Sequence, residues 1–235
     1  MTTWQELEAL ALAGTHEYLR EMVLPGLPVG RALDLGAGSG RFSLILKEAG
    51  YDVLAVEQNR TSFVADVPLR EDVDLNDPDF ADRLPGPFDL VVAIEVLEHL
   101  ENPISFLRSV RKLLGPTGTA LITTPNVDSL AARLRFAVSG TIRSFNDEGE
   151  ATHITPVFYD LCVRRWMPQA GLQLTGYRTC PEHGFRAVPS WTTYLWTLMT
   201  YLIRGRGLAG DTSIFLMQSG QKIMPVFGTS GRSTA

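Results

Sequence analysis

The sequence is poor in cysteine and holds no cysteine pattern of a disulfide scaffold. Among its 235 residues only Cys162 and Cys180 are cysteines, and they stand in no metal or redox spacing. Both are therefore expected to be reduced thiols in the core. This composition favours a protein of the reducing cytoplasm and excludes a fold that depends on disulfide bonds.

An excess of basic charge and a long apolar run are also missing. The formal net charge is −5, whereas proteins that follow nucleic-acid phosphates usually carry a basic surplus, so nucleic-acid binding is disfavoured. The most apolar stretch, residues 191–203, contains threonines and falls short of the roughly 20 residues that span a bilayer. Residues 1–24 do not show the basic and apolar regions of a signal peptide. Membrane contact through 191–203 stays open, but a spanning helix is not expected.

Length and composition predict a single domain. A chain of 235 residues with 45% apolar content can build one well-packed core but not two enzyme domains. We expect this domain over residues 1–220, with a helical N-terminal segment at 1–30 and an apolar, lid-like insertion at 181–210. The small, polar residues 221–235 predict a flexible tail.

The sequence does contain a regular alternation of short apolar runs with helical periodicity. Strands are predicted at 32–35, 53–56, near Val73, 88–94, 119–123, 172–177 and 214–217, the last two paired antiparallel. Helices are predicted at 4–22, 42–49, 103–114, 127–136 and 158–170. This order predicts an α/β fold, a Rossmann-like, mostly parallel seven-stranded sheet with helices on both faces and an antiparallel last strand.

A glycine turn follows the first predicted strand and opens a helix. Glycines alternate at Gly36, Gly38 and Gly40, where positive φ angles and the missing Cβ let the backbone approach a ligand. Glu57, at the end of the next strand, is placed to accept both hydroxyls of a ribose. A nicotinamide dinucleotide would also fit such an acid, but its fingerprint requires a third glycine where Arg41 stands. A dehydrogenase is therefore the disfavoured alternative.

The run Asp34-Leu35-Gly36-Ala37-Gly38-Ser39-Gly40 resembles the first motif of class I S-adenosylmethionine-dependent methyltransferases. It is similar to that of the broad bacterial family that includes ubiquinone-biosynthesis-type O-methyltransferases, and residues 88–92 resemble the family's fourth-strand motif. The resemblance covers residues 32–124 well. It implies an enzyme whose glycine loop holds the methionine portion of S-adenosylmethionine, while Glu57 holds the ribose and an acid near residue 74 holds the adenine. The implied donor-binding residues are Asp34, Gly36, Ala37, Gly38, Gly40, Glu57, Gln58, Asp74, Leu75 and Glu95, with Asp72 and Asp77 as rivals of Asp74.

A cluster of acids and a histidine follows the fourth predicted strand. Glu95, Glu98 and His99 are three and four residues apart, so one helical turn would place them on one side. Such groups can hold a divalent cation or supply a general base, or they can merely brace the site.

This cluster resembles the magnesium-binding segment of ubiquinone-biosynthesis O-methyltransferases. It also resembles that of small-RNA 2′-O-methyltransferases, which add a second histidine after a Thr-Pro-Asn turn, as at 124–126 here. The resemblance implies Mg²⁺ or a similar cation held by Glu95, Glu98, His99 and His153. An oxygen acceptor must lose its proton, so either His99 or His153 is expected to take it as the catalytic base, or a bound cation lowers the pKa of the acceptor.

The expected activity is O-methylation of a small metabolite, of the quinone-precursor, sugar or lipid type. Two alternatives stay open: a metal-dependent RNA 2′-O-methyltransferase and a non-catalytic cofactor-binding module.

Overall fold

The computed structural model describes residues 3–145, 152–182 and 209–220. The strands are β1 Arg31–Leu35, β2 Asp52–Val56, β3 Leu69–Arg70, β4 Phe88–Ile94, β5 Leu114–Pro125, β6 Leu172–Cys180 and β7 Thr212–Ser219. The α-helices are α1 Thr15–Tyr18, α2 Arg41–Glu48, α3 Pro103–Leu113, α4 Leu130–Ser139, α5 Tyr159–Leu161 and α6 Met167–Ala170. A π-helical segment, Cys162–Trp166, joins α5 to α6, so the helix predicted over 158–170 is continuous.

The seven strands form one sheet in the order β3-β2-β1-β4-β5-β7-β6. Strands β1 to β5 pair in parallel, whereas β7 is antiparallel to both β5 and β6. The prediction of a mostly parallel seven-stranded sheet with an antiparallel last strand is confirmed. The chain runs outward from β1 to β3 and then returns to the other side of β1 at β4. Ligands of such sheets bind beyond the carboxyl ends of the strands at this switch point.

Helices cover both faces of the sheet because its central strands are apolar on both sides. In β1, Leu33 belongs to a core that also holds Phe106 of α3. Its neighbour Ala32 belongs to a second core on the opposite face, which holds Ile45 of α2. Successive side chains of a strand point to opposite faces, so a central parallel strand needs apolar residues throughout.

The helix predicted over 4–22 is confirmed only in its second half, where α1 continues directly into a π-helical segment at Leu19–Val23. A 3₁₀ turn occupies Trp4–Glu6, and no regular helix follows until α1, whose N-cap Gly14 has a φ of 79°. Backbone groups of the intervening residues bond elsewhere: the guanidinium of Arg41 donates to the carbonyl of Leu7 at 2.6 Å. This contact with a distant residue replaces the helical partner that the apolar spacing indicated.

Two further elements have different bounds in the structure from those predicted. The weak strand expected near Val73 lies earlier, at β3, while Val73 is fully buried outside any strand. Helix α4 begins later than residue 127 because the Ser129 hydroxyl accepts a hydrogen bond from the amide of Ala132 at 3.2 Å and caps the helix. In contrast, α3 begins as predicted, with the Asn102 side chain as its cap.

The predicted insertion at 181–210, with its apolar stretch 191–203, lies outside the described residues except at its two ends. The predicted tail at 221–235 lies entirely outside them. Among the residues that are described, no helix combines the length and apolarity needed to cross a membrane.

Candidate functional site

A cavity of about 760 Å³ opens beyond the carboxyl ends of β1, β2, β4 and β5. Asp34, Val56, Ile94 and Pro125, each at or next to the end of one of these strands, line its base. The turns that follow the strands form its walls. The cavity therefore lies where the strand order reverses, the position at which parallel sheets bind ligands.

The glycine loop forms one wall with its backbone. Gly36 and Gly40 have φ angles of 70° and 83°, and a Cβ added at Gly40 would lie 2.3 Å from the Cβ of Ala65. The amides of Gly36 and Ala37 both donate to the carbonyl of Val56, at 2.9 and 3.0 Å. These bonds curl the loop over the end of β2 and leave a wall that a ligand can approach closely.

Glu57 is held beside this loop by two backbone amides. Its Oε2 accepts a hydrogen bond from the amide of Gly38 at 2.9 Å, and its Oε1 accepts one from the amide of Asn59 at 2.8 Å. Each carboxylate oxygen can accept a further bond. Glu57 and Gln58 both border the cavity, so the carboxylate is oriented before any ligand arrives.

Asp34 braces the loop from below. It is only 2% exposed and accepts a hydrogen bond from the Ser43 hydroxyl at 2.6 Å, which joins β1 to α2. Burial is the main reason that its pKa is raised to about 6, and the hydrogen bond from Ser43 opposes that rise. Asp34 also borders the cavity.

Of the three acids that competed for the adenine position, only Asp74 borders the cavity, together with Leu75. Asp72 forms a bidentate ion pair with Arg70 at 2.9 and 2.8 Å, and Asp77 pairs with an arginine at 2.9 Å. Within the described part of the chain, the other two acids therefore have partners away from the cavity.

Glu95 reverses the chain directly after β4. Its φ of 53° is a left-handed conformation, which costs a non-glycine residue about 1–3 kcal/mol. The amide of Glu95 donates to the carbonyl of Thr123 at 3.2 Å, and its Oε1 accepts from the Thr123 hydroxyl at 2.9 Å. These bonds stabilise the turn and hold Glu95 at the cavity wall.

The structure brings Glu98, His99 and His153 together. A carboxylate oxygen of Glu98 and one nitrogen of each histidine lie within 4.8 Å of one another, and the two rings meet edge to face at 4.6 Å. Glu95 does not belong to this group, because it precedes the 3₁₀ turn Leu97–His99 and bonds to β5 instead. Three of the four expected metal ligands thus converge, and the fourth lies apart.

Hydrogen bonds to backbone carbonyls orient both imidazoles. Nδ1 of His99 lies 3.2 Å from the carbonyl oxygen of Thr152, and Nδ1 of His153 lies 2.7 Å from that of Ser144. A carbonyl only accepts, so Nδ1 carries the proton in each ring. The neutral form of each histidine then has its lone pair on Nε2, as in metal-binding histidines and general bases.

The segment that carries His153 is docked on the Glu98 turn. The amides of Ile154 and Thr155 both donate to the carbonyl of Glu98 at 2.9 Å. The Thr155 hydroxyl donates to the carbonyl of Leu100 at 2.5 Å. The position of His153 is therefore set by contacts between two distant parts of the chain.

The N-terminal segment supplies residues that the sequence did not reveal. Residues 10–12 and His16 border the cavity, and the Ser39 hydroxyl donates to the carbonyl of Glu8 at 2.6 Å. Arg41, to which the sequence assigned no role, binds this segment through its guanidinium. The sequence did not predict these contacts, because the helical spacing of the apolar residues indicated a helix in this segment instead.

Comparison with known proteins agrees with this geometry. The model of a methyltransferase-domain family matches residues 5–176. A ubiquinone biosynthesis O-methyltransferase of Pseudomonas aeruginosa is 31% identical over 157 residues, which cover 63% of this chain and 67% of that protein. One from Caulobacter is 34% identical over 103 residues, 41% of each chain. The chain thus spans between two fifths and two thirds of these curated relatives.

The fold has solved counterparts. A methyltransferase from Archaeoglobus fulgidus described as S-adenosylmethionine-dependent superposes with a TM-score of 0.62 at 18% identity, covering 86% of this chain and 91% of that one. The mostly parallel seven-stranded sheet with its antiparallel last strand, taken together with the family match, identifies a class I S-adenosylmethionine-dependent methyltransferase. The chain belongs to the methyltransferase-domain family of that class.

Proposed function

We propose that this protein transfers the methyl group of S-adenosylmethionine to a hydroxyl oxygen of a small metabolite. The observation that carries the proposal is the shared cavity. One side of this cavity, which we name the donor half, is formed by Asp34 and by residues 36–39, 57–58 and 74–75. Its other side, the acceptor half, is formed by residues 94–96, His99, Leu100, Pro125, Ser144 and His153, with Glu98 buried directly before His99 in the chain.

In the donor half, each group has a counterpart on S-adenosylmethionine. The loop of Gly36, Ala37, Gly38 and Gly40 faces the methionine portion. Glu57 accepts the two ribose hydroxyls, with Gln58 beside it. Asp74 accepts the adenine amino group and Leu75 packs on the ring. Asp34 supports the loop, and Glu95 closes the cavity at the junction with the acceptor half.

In the acceptor half, His99 or His153 takes the proton of the acceptor. The acceptor oxygen attacks the methyl carbon in line with the sulfonium sulfur, the carbon–sulfur bond breaks, and S-adenosylhomocysteine leaves. The hydroxyl proton passes to Nε2 of a histidine. General-base catalysis of this kind contributes roughly 10²- to 10⁴-fold, and holding the two reactants together contributes more.

We further propose that Glu98, His99 and His153 bind a divalent cation such as Mg²⁺ or Mn²⁺. Glu98 is fully buried, and one of its carboxylate oxygens lies within 4.8 Å of a nitrogen of each imidazole, a donor set that a divalent cation can bridge. Oxygen and imidazole ligands suit Mn²⁺, iron or zinc as well as Mg²⁺. When bound, such a cation lowers the pKa of a coordinated hydroxyl. A given Nε2 cannot be a ligand and a proton acceptor together, so the two mechanisms exclude each other at each histidine.

Equilibrium dialysis against Mn²⁺ tests the cation site. The wild-type chain and Glu95→Gln should bind one ion, whereas His153→Gln should lose it, because only the second change removes a residue of the group. Equal binding by all three proteins, or by none, would exclude this site and leave the histidines as bases.

The substrate class is tested with methyl-labelled S-adenosylmethionine and mass spectrometry of the products. Hydroxylated quinone precursors, sugars, lipids and a short RNA serve as acceptors, with Glu57→Ala as the donor-binding control. We expect the label on an oxygen of a small hydroxylated compound. Label on RNA would favour the 2′-O-methyltransferase alternative. Donor binding without transfer to any acceptor would favour the non-catalytic module.

We also propose a cytoplasmic location, with residues 191–203 as part of a lid and membrane contact through them as the alternative. Cys162 and Cys180 are both buried and form no disulfide, which supports a reducing compartment. Flotation with liposomes, comparing the full chain with one that lacks 191–203, tests the membrane contact. Equal behaviour of the two proteins would exclude it.

A further inference from the structure

His16 is a buried histidine on the cavity wall to which the reaction above gives no role. It lies in the first turn of α1 and is 7% exposed. Its ring contacts the ring of Phe42, with centroids 5.4 Å apart, and both residues border the cavity. Asp34 and Gly36 border the same cavity, and Phe42 stands in the first turn of α2, directly after the glycine loop. His16 therefore lies on the side of the donor half that we assign to the methionine portion.

The imidazole of His16 is neutral at physiological pH. Burial, and to a smaller degree the nearby charge of Arg41, lower its pKa to about 4, while the carboxylate of Glu17 opposes the shift. A neutral imidazole has one nitrogen that donates and one that accepts. Which nitrogen carries the proton depends on the surroundings of the two atoms.

The surroundings of Nδ1 favour the proton on Nε2. Nδ1 is fully buried and, within the described residues, has no hydrogen-bond partner. A buried N–H without a partner is rarer in proteins than an acceptor without one, so Nδ1 is better left as a lone pair. Nε2–H is then the group that can reach a ligand in the cavity.

We propose that His16 donates a hydrogen bond from Nε2 to the α-carboxylate of the methionine portion of S-adenosylmethionine. The carboxylate is the hydrogen-bond acceptor at that end of the donor, whereas the ammonium and the sulfonium are cationic. The positive charge of Arg41 close to His16 favours an anion at this position. The inference deepens the proposed function and rests on the donor placement given there.

The test compares three ligands by calorimetry: S-adenosylhomocysteine, its decarboxylated analogue, and methylthioadenosine, which lacks the whole amino-acid end. His16→Phe keeps a ring beside Phe42 but removes the donor. It should weaken S-adenosylhomocysteine binding by roughly tenfold to a hundredfold, the effect of one hydrogen bond to a charged group. The two ligands without a carboxylate should bind as they do to wild type.

Two further variants make the result specific. His16→Gln places an amide N–H near the position of Nε2 and should restore part of the affinity, whereas His16→Asn is too short to do so. An equal loss for all three ligands would reduce His16 to a packing residue and overturn the inference. A loss that persists with the decarboxylated analogue would assign the contact to the ammonium and also overturn it, as would unchanged binding of every ligand.

Glu57→Ala distinguishes a failure of the inference about His16 from a failure of the proposed placement of S-adenosylmethionine. All three ligands contain the ribose, so this variant should weaken all three alike. If Glu57→Ala does not weaken binding of all three ligands, the proposed placement of S-adenosylmethionine is wrong, irrespective of the results with the His16 variants. If Glu57→Ala weakens all three ligands but His16→Phe does not selectively weaken S-adenosylhomocysteine, only the proposed role of His16 is wrong.

Discussion

In the donor half of the cavity, Glu57 is held by the amides of Gly38, 19 residues away, and Asn59, two residues away. In the acceptor half, His99 bonds to Thr152, 53 residues later. The glycine loop and Glu57 of the donor half thus belong to one β1–α2–β2 unit and the residues that directly follow it, whereas the two histidines of the acceptor half come from segments far apart in the chain. A change in a segment of the acceptor half can therefore alter the acceptor while the donor half keeps its geometry.

If the two halves of the cavity act independently, the largest effect on methyl transfer is expected from changes at the two histidines of the acceptor half. His99→Gln and His153→Gln should each lower the rate of methyl transfer by roughly 10²- to 10⁴-fold, because a proton acceptor or a cation ligand is lost. Affinity for S-adenosylhomocysteine, measured by calorimetry, should stay near the wild-type value. A loss of donor affinity as large as the loss of rate would mean that the two halves are not independent.

The next effect concerns the buried acid of the donor half. Because the pKa of Asp34 is raised from 3.8 to about 6 in the folded chain, the folded state binds a proton that the unfolded state has already released. Stability without ligand should therefore fall as pH rises between these values, by up to about 3 kcal/mol.

The pH dependence of stability is measured by denaturant unfolding at pH 4 and pH 7, with Asp34→Asn as the variant that lacks the titrating group. The stability of wild type relative to Asp34→Asn should fall between the two pH values. Asp52→Asn, at a side chain that is 82% exposed, is the matched control and should follow wild type. If wild type and Asp34→Asn change in parallel, Asp34 does not titrate as described.

A smaller effect is expected for Glu57, the acid that we propose to bind the ribose. Glu57→Ala should weaken binding of S-adenosylhomocysteine by roughly tenfold to a hundredfold, since hydrogen bonds to a charged group are lost. Glu71→Gln, at a half-exposed surface carboxylate, should have no effect on the same calorimetric titration. Metal binding by the acceptor half should survive in Glu57→Ala, and its loss would contradict the separation of the two halves.

The smallest effect concerns the contact between the N-terminal segment and the glycine loop. Arg41 pairs with Glu17 at 2.6 Å, and its side chain is 13% exposed. Arg41→Gln should cost about 1 kcal/mol of stability in thermal unfolding.

Arg164→Gln removes a fully exposed i,i+4 pair and should change stability by less than about 0.5 kcal/mol. Similar shifts for the two arginine variants would show that the N-terminal segment is not held by Arg41.

Much of the donor half was predictable because its residues follow one another along the chain. Gly36 to Gly40 and Glu57 stand at the ends of two strands that pair directly in the sheet. The choice between Asp74 and its rivals was not predictable, since it depends on which acids form ion pairs with Arg70 and Arg83.

The N-terminal segment shows where local patterns mislead. Apolar residues at helical spacing predicted a helix over 4–22, but backbone groups there bond to Ser39 and Arg41 of the glycine loop. His16 therefore reaches the cavity wall through contacts that no short-range spacing encodes.

The order of apolar runs, the glycine loop and its acid follow from the linear chain, because strand burial, positive φ angles and helix caps depend on neighbouring residues. Which side chains meet across the cavity was decided only by folding. Glu98 meets His153 while Glu95 turns to Thr123, because these positions depend on strand order and on hydrogen bonds between distant segments.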